Sequence, residues 1–500
     1  MSKKIKLLYF SDSAQAKTGF GRVAKCLLEY LYKTEKYIIV NACMMSVENS
    51  PELNATPWKS VGTIPANEQF QKQYQSDERI RQIAGYGYYM IDKIIKDEKP
   101  DILLCAQDVW GIFNLCLKPY WNKIPCIFWT TLDSLPIHEK AIEASQKCQP
   151  GNFWVWSNFA EKDMKKHGHN NVKTVCAPFD ASEFNYIPKA KRMELRRKFN
   201  ISSNVFCAGF IFRNQLRKSI FCLLEGYTQF KRENLGIDSK LLLHTCFSEG
   251  WNIMKQAEYY GVPKEDILTT YICENCLEYE VKPFIGEKQN CKFCQSLKSQ
   301  RTTSPKLGVT EEQLCEIYNL MDVYCHPFNS GGLEGPASCE SKFCELPVLV
   351  TNYSCGEEIC EEGSGSLALD WTPYRDLQQN EFIKAATHPK SVTKQLSKVY
   401  RMKEEERREL GRQGRKWAVA KYDTDNASKK IDELLSGLTL TDYNFDFSVD
   451  KPNPDAVIPK IEDHKEWLKS MYKNILKMDV ADDDKGLNDW LSKLKAAQND

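Results

Sequence analysis

Apolar residues in the first half of the chain fall into short runs separated by amphipathic stretches. Residues 5–10 (Ile-Lys-Leu-Leu-Tyr-Phe), 37–42, 101–105, 125–130, 153–156 and 173–176 read as strands, with helical stretches such as 79–97 and 138–146 between them. This alternation predicts an α/β architecture with a doubly wound parallel sheet. Residues 185–200 are charged and helical and read as a connection to a second domain. The pattern then repeats: strand 205–212, helix 218–233, strand 240–245, helix 250–260, strand 267–272, helix 311–320, strand 322–325, helix 336–345 and strand 347–351. A helix is expected at 402–421, with Gly411 and Gly414 inside it. Residues 440–462 are polar, contain Pro452, Pro454 and Pro459, and read as an extended linker. Residues 463–497 place Trp467, Leu468, Met471, Ile475, Leu476, Leu487, Trp490, Leu491 and Leu494 at helical spacing, which predicts two amphipathic helices docked on the chain itself or on a partner.

Five hundred residues exceed one hydrophobic core, so two main domains are expected. The net charge of +1 gives no global attraction to nucleic acid or anionic membrane, although a local basic groove remains compatible with it. The start, Met-Ser-Lys-Lys followed by a short β-like run, does not read as a signal peptide, and no run of about 18 apolar residues predicts a transmembrane helix. Most of the 20 cysteines stand singly in apolar segments, among them Cys26, Cys105, Cys126 and Cys207. They read as reduced core residues of a cytoplasmic protein, in a host cytoplasm if the source is viral.

Four cysteines break that pattern. Cys273-x2-Cys276 and Cys291-x2-Cys294 are separated by 14 residues. Two such pairs place four thiolates around one zinc ion. Four thiolates leave no position for water, so a structural zinc is expected. The insertion either lines a ligand cleft or is a stabilised surface feature.

Candidate chemistry clusters at strand ends, where ligands of open α/β sheets bind. After the first strand come Ser11–Thr18, then Gly19-Phe20-Gly21-Arg22-Val23 and an apolar helix, a pattern suited to phosphate or sugar contact. It lacks the Gly-Lys-Ser/Thr of a P-loop and the third glycine of a dinucleotide fingerprint. Residues 101–113 end a strand at Gln107, Asp108 and Trp110, and 126–136 end the next at Thr131, Asp133 and Ser134. Asp108 and Asp133 are the best cleft acids, or else helix N-caps. Residues 206–218 are an apolar strand followed by Arg213 and Lys218, with Arg217 read as a solvated neighbour. Residues 321–358 read as strand, glycine loop (Ser330, Gly331, Gly332), a helix starting near Pro336, and strand, with Glu334 and Glu340 flanking the loop.

In these segments the chain resembles the retaining family-4 glycosyltransferases. Glu340, Cys344, Pro347 and Val348 match the second half of that family's signature; the position eight before Glu340 is Gly332, and the nearest acid is Glu334. The resemblance implies the GT-B fold: two doubly wound Rossmann-like domains facing across a cleft. Residues 1–190 would be the acceptor side, 191–425 the nucleotide-sugar side carrying the zinc knuckle at 271–297, and 426–500 a crossover and helical extension. It further implies Arg213 and Lys218 on the donor diphosphate and Glu340 on the ribose. Glu334 and the Ser330–Gly332 backbone would hold the sugar or phosphate, with Gly19 and Gly21 facing the donor. Asp133 would be a sugar or acceptor carboxylate, with Asp108 its rival. In such enzymes the leaving phosphate takes the acceptor proton. No dedicated base and no catalytic metal are then expected, in keeping with the absence of a histidine near Asp133 closer than His138. The donor would be a UDP-sugar. The acceptor would be a glycan or small molecule, or a hydroxymethylated base in DNA as in phage enzymes. The zinc knuckle and the basic stretches 188–198 and 283–307 support the DNA acceptor. An inactive scaffold is a third reading, motivated by Gly332 and opposed by the retained Arg213, Lys218 and Glu340.

Overall fold

The computed structural model describes residues 3–304, 307–330, 335–376, 381–440, 464–475 and 478–497. Two compact units divide the chain, 1–445 and 446–500, and each is described by itself.

The first unit holds two large sheets. Strands β1 (Ile5–Asp12), β2 (Tyr37–Val47), β3 (Lys59–Ile64), β4 (Ile102–Ala106), β5 (Cys126–Thr130), β6 (Phe153–Val155) and β7 (Lys173–Thr174) form an all-parallel sheet in the order β3-β2-β1-β4-β5-β6-β7. Leu7, Leu8, Tyr9 and Phe10 on β1 are all buried. Crossover helices cover both faces of a parallel sheet, which is why such strands read as unbroken apolar runs.

Two features of this half differ from the sequence pattern. Strand β3 has a mixed, glycine-containing sequence and is recognisable only through its pairing with β2. The single helix expected at 79–97 is two, Glu78–Gly85 and Ile91–Glu98. Between them Gly87 has φ +77°, and a Cβ there would lie 2.8 Å from the Phe10 ring. A left-handed residue ends a right-handed helix, and here the close approach to β1 requires it.

The second sheet is built on β8 (Phe206–Ile211), β9 (Ser239–His244), β10 (Ile267–Cys273), β14 (Val323–His326), β15 (Val348–Thr351) and β16 (Ser366–Leu369), parallel in the order β10-β9-β8-β14-β15-β16. Between β10 and the helix Glu311–Leu320 the insertion adds β11 (Tyr279–Pro283), β12 (Lys288–Gln289) and β13 (Gln300–Thr302), with β11 and β13 antiparallel to β10. After β16 comes a separate hairpin, β17 (Trp371–Arg375) and β18 (Ile383–Thr387). It reaches the first half: Ile383 N–H donates to the Leu135 carbonyl at 2.6 Å. Phe159, Tyr353 and Ala385 are buried there, with Leu135, Trp371 and Ile383 packed on them.

The chain finally returns to its beginning. The helix Glu404–Tyr422 packs on the helix Gly335–Phe343, and a Cβ at Gly411 would stand 1.9 Å from the Glu345 carbonyl oxygen, so only glycine permits this approach. Phe179 N–H then donates to the Tyr422 carbonyl at 2.7 Å. The helix Thr424–Ser436 lies on the first helix, Gly19–Lys33, where Asp432 accepts from Tyr37 Oη (2.7 Å) and Lys36 Nζ (2.6 Å). All twenty cysteines are free thiols, and most are buried. No helix among the described residues is long and apolar enough to cross a membrane.

The second unit contains the helices His464–Ile475 and Lys485–Ala497. Leu468 and Leu487 are buried, while Lys469 and Lys465 face Asp482.

Candidate active site

The C-terminal ends of the parallel strands bring the candidate residues together. Asp12 ends β1 and accepts from Gln107 Nε2 at 2.9 Å and from the Thr18 hydroxyl. Thr18 also caps the first helix, its Oγ accepting from Gly21 N–H at 3.0 Å. The two glycines of this loop do different things. A Cβ on Gly21 would lie 2.2 Å from the Ala16 carbonyl oxygen, whereas Gly19 has nothing within 4 Å.

Asp108 follows β4 and accepts from Thr131 Oγ, beyond β5, at 2.7 Å. Its carboxyl is pushed up to about 6, first by burial and further by Asp133, against the Thr131 hydrogen bond and the Arg217 charge. Asp108 does stand at an N-cap position, yet its side chain makes no cap hydrogen bond. Asp133 accepts from Ser134 Oγ at 2.9 Å, and its carbonyl accepts from Ser354 Oγ of the second half at 2.7 Å.

Opposite these acids the second sheet presents cations, in an arrangement the sequence did not reveal. Arg213 is 60% exposed and paired with Glu249 at 3.2 Å. Arg217, read from sequence as a solvated neighbour, is instead turned toward the cleft. Burial pulls its pKa down while Asp133 and Asp108 oppose that shift. The reason is local: Leu216–Lys218 forms a short 3₁₀ turn, and the Arg217 carbonyl accepts from Asn329 N–H at 2.9 Å, which fixes the turn to the end of β14. Lys218 is buried, with Nζ 3.3 Å from His326 Nε2. His326 ends β14, and its Nδ1 is 3.0 Å from Ser338 Oγ. Burial, and then the Lys218 and Arg217 charges, keep this ring neutral. Burial, and then Arg217, also press the Lys218 pKa well down. An anion placed between Lys218 and Arg217 reverses that pressure.

Glu340 is 2% exposed and committed on both oxygens: to Arg22, from the first helix, and to Tyr318 Oη at 2.8 Å. Burial raises its carboxyl and Arg22 lowers it. Lys25 and Glu311 make a second pair between the halves at 3.2 Å. A cavity of about 250 Å³ adjoins these pairs, lined also by Tyr30, Asp180 and Asp423. Lys384, from β18, joins Ser134 and Ser330 through hydrogen bonds of 3.0 and 2.8 Å. Arg22, Arg217, His326 and Lys384 were not distinguished in the sequence from ordinary surface or core residues. Gly331, Gly332 and Glu334 lie outside the described residues.

The four insertion cysteines also converge. Cys273 and Cys294 Sγ are 3.6 Å apart, Cys276 and Cys291 Sγ 3.7 Å, and all four lie within 4.8 Å of one another. Disulfide sulfurs stand about 2.05 Å apart. Thiolates on a tetrahedral ion with bonds of about 2.3 Å stand about 3.8 Å apart, so the set fits one metal ion. Burial would raise the Cys273 thiol, but Ser299 and the N–H groups of Cys276 and Asn275 outweigh it and hold the thiol down. The insertion touches the helix that carries Tyr318, because Tyr279 Oη donates to Glu316. Beyond β11, Phe284 stacks on Phe247 with centroids 4.2 Å apart. Both rings line a cavity of about 370 Å³ together with Trp251 and Glu249, the partner of Arg213.

No protein-family profile matches the sequence. No curated protein sequence matches it. Solved structures do. A glycosyltransferase from Rickettsia africae superposes with a TM-score of 0.58 at 12% identity, over 87% of this chain and 98% of that one. HepE from Anabaena, solved in complex with UDP and glucose, gives 0.58 at 12% identity, over 87% of this chain and 100% of its own. Sucrose-phosphate synthase from Thermosynechococcus elongatus gives 0.53 at 12% identity, over 87% and 98%. The two facing Rossmann-like halves therefore form a GT-B fold, with a four-cysteine insertion and a helical C-terminal extension.

Proposed function

We propose that this protein is a retaining glycosyltransferase, of the family-4 kind, that moves a sugar from a nucleotide-diphospho-sugar to a hydroxyl acceptor. One observation supports the reading: Arg217, on the turn after β8, interacts electrostatically with Asp108 and Asp133, and its buried neighbour Lys218 with Asp133, where the strands of two parallel sheets end. A diphosphate gains charge as it leaves the anomeric carbon, and fixed cations stabilise that charge. Carboxylates opposite them accept hydrogen bonds from sugar hydroxyls. The fold likeness to HepE, solved with UDP and glucose, supports UDP as the carrier.

In this reading residues 1–190 present the acceptor and 191–425 bind the donor. Residues 271–297 hold a structural zinc, and 426–500 are the crossover and extension. Arg217 and Lys218 hold the diphosphate, while Arg213 stays with Glu249. The bond from the anomeric carbon to the phosphate oxygen breaks, and the acceptor oxygen bonds to that carbon on the same face. The acceptor proton passes to the departing phosphate. Glu340 would hold the donor ribose, with Arg22 and Tyr318 orienting its carboxylate.

A glycan or small-molecule acceptor is favoured over DNA, because several cations of the basic stretches are already paired within the chain. Arg192 and Arg196 grip Asp322 at 2.8 and 2.7 Å, Lys292 pairs with Glu280, and Arg301 with Glu274 at 2.8 Å. The test is a proton-NMR assay of UDP-sugars with oligosaccharide acceptors. Transfer with the donor's anomeric configuration kept is expected. Inversion contradicts the retaining assignment, and turnover only with hydroxymethylated DNA contradicts the acceptor assignment.

A further inference from the structure

The hairpin β17–β18 carries a lysine into the cleft that the transfer scheme above leaves without a role. Its strand is pinned on both sides. Ile383 N–H donates to the Leu135 carbonyl, Tyr353 Oη donates to the Ile383 carbonyl at 2.6 Å, and Ala385 N–H donates to the Asn329 carbonyl at 2.7 Å. Ile383 and Ala385 belong to the apolar cluster with Phe159 and Tyr353. Side chains alternate along a strand, so Lys384, between them, points to the opposite face. There its Nζ donates to Ser330 Oγ at 2.8 Å and Ser134 Oγ at 3.0 Å. Ser330 stands in the loop after β14, on the second half of the cleft. Ser134 is the neighbour of Asp133 on the first.

We propose that Lys384 is a third cation of the donor site, which binds the diphosphate beside Arg217 and Lys218 while bridging the two halves of the cleft. The proposal rests on the transfer reading. Both hydrogen-bond partners of the ammonium are neutral hydroxyls. A partly buried cation held on neutral oxygens gains a charge-assisted bond when an anion arrives. Burial pulls the Lys384 pKa down, Asp133 and Asp376 oppose that shift, and Arg217 adds to it. The strand is anchored before any ligand binds, so the ammonium is already positioned, and little ordering opposes its contact.

The test uses the full chain and titrates UDP and uridine into wild type, Lys384→Gln and Lys384→Arg. Thermal melts check that the variants fold. Lys384→Gln is expected to weaken UDP binding by about 10- to 100-fold, the range for a lost hydrogen bond to a charged group. Uridine, which carries no phosphate, should bind all three proteins within about twofold, and Lys384→Arg should keep most of the UDP affinity. Unchanged UDP affinity in Lys384→Gln, or an equal loss for UDP and uridine, overturns the role of Lys384 alone. Failure of the wild-type protein to bind UDP, GDP, ADP or dTDP overturns the transfer reading and this proposal with it.

Discussion

Arg22 and Glu340 stand 318 residues apart and form an ion pair that joins the first helix to the second half of the cleft. Removing one partner of such a buried pair leaves an uncompensated charge, at a cost of about 3–5 kcal/mol. Arg22→Ala should therefore lower the melting temperature markedly. The Glu340 carboxyl, already raised by burial, would rise further. The folded state then binds a proton that the unfolded state has released, so the deficit should grow as pH rises from the ordinary carboxylate range toward neutrality. A melting temperature unchanged across that range contradicts the pairing.

Asp108 sets a pH dependence. Its carboxyl titrates at about 6 rather than at the ordinary 3.8. Between those values the folded chain holds a proton that the unfolded chain lacks, so this group's contribution to stability falls as pH rises through that window. If the carboxylate form binds sugar hydroxyls, kcat/KM should rise with pH through about 6. Asp108→Asn should flatten that limb and reduce kcat/KM by about 10- to 100-fold. A limb that survives in the variant assigns the titration to another group.

Glycine substitutions separate packing from ligand contact. Gly411→Ala drives a methyl into the Glu345 carbonyl and should cost about 1–3 kcal/mol in a denaturant melt. Gly19→Ala meets open space and should shift stability by less than about 0.5 kcal/mol. The reverse ranking would mean that the close approach of the helix Glu404–Tyr422 is wrong.

The insertion should carry one zinc ion per chain by elemental analysis, and Cys291→Ser should lose it. Tyr279 links the insertion to the helix bearing Tyr318, which holds Glu340. Metal removal should therefore lower the melting temperature and weaken nucleotide binding together. Full metal loss with neither effect rules out that link.

Much of the fold was legible because parallel strands are apolar throughout and their glycine and acidic termini stand out. The four cysteines were legible because their spacing is itself the geometry of the site. What escaped depended on turns and distant contacts. Arg213 and Arg217 both follow β8, and only the short turn at Leu216–Lys218 decides which faces the acids. Arg22 looks like any helix-surface arginine until Glu340 is brought to it. Lys384 sits in a hairpin after β16 whose reach to Leu135 no local pattern announces. His326 hides at the end of an apolar strand as a core residue would.

The most direct measurement is a calorimetric titration of UDP-sugars into the wild-type chain, Arg217→Ala and Arg213→Ala. The account predicts that wild type binds a UDP-sugar, that Arg217→Ala loses about 10- to 100-fold in affinity, and that Arg213→Ala, whose side chain is exposed and paired with Glu249, loses less than about threefold. No binding by wild type, or a larger loss in Arg213→Ala than in Arg217→Ala, would contradict it.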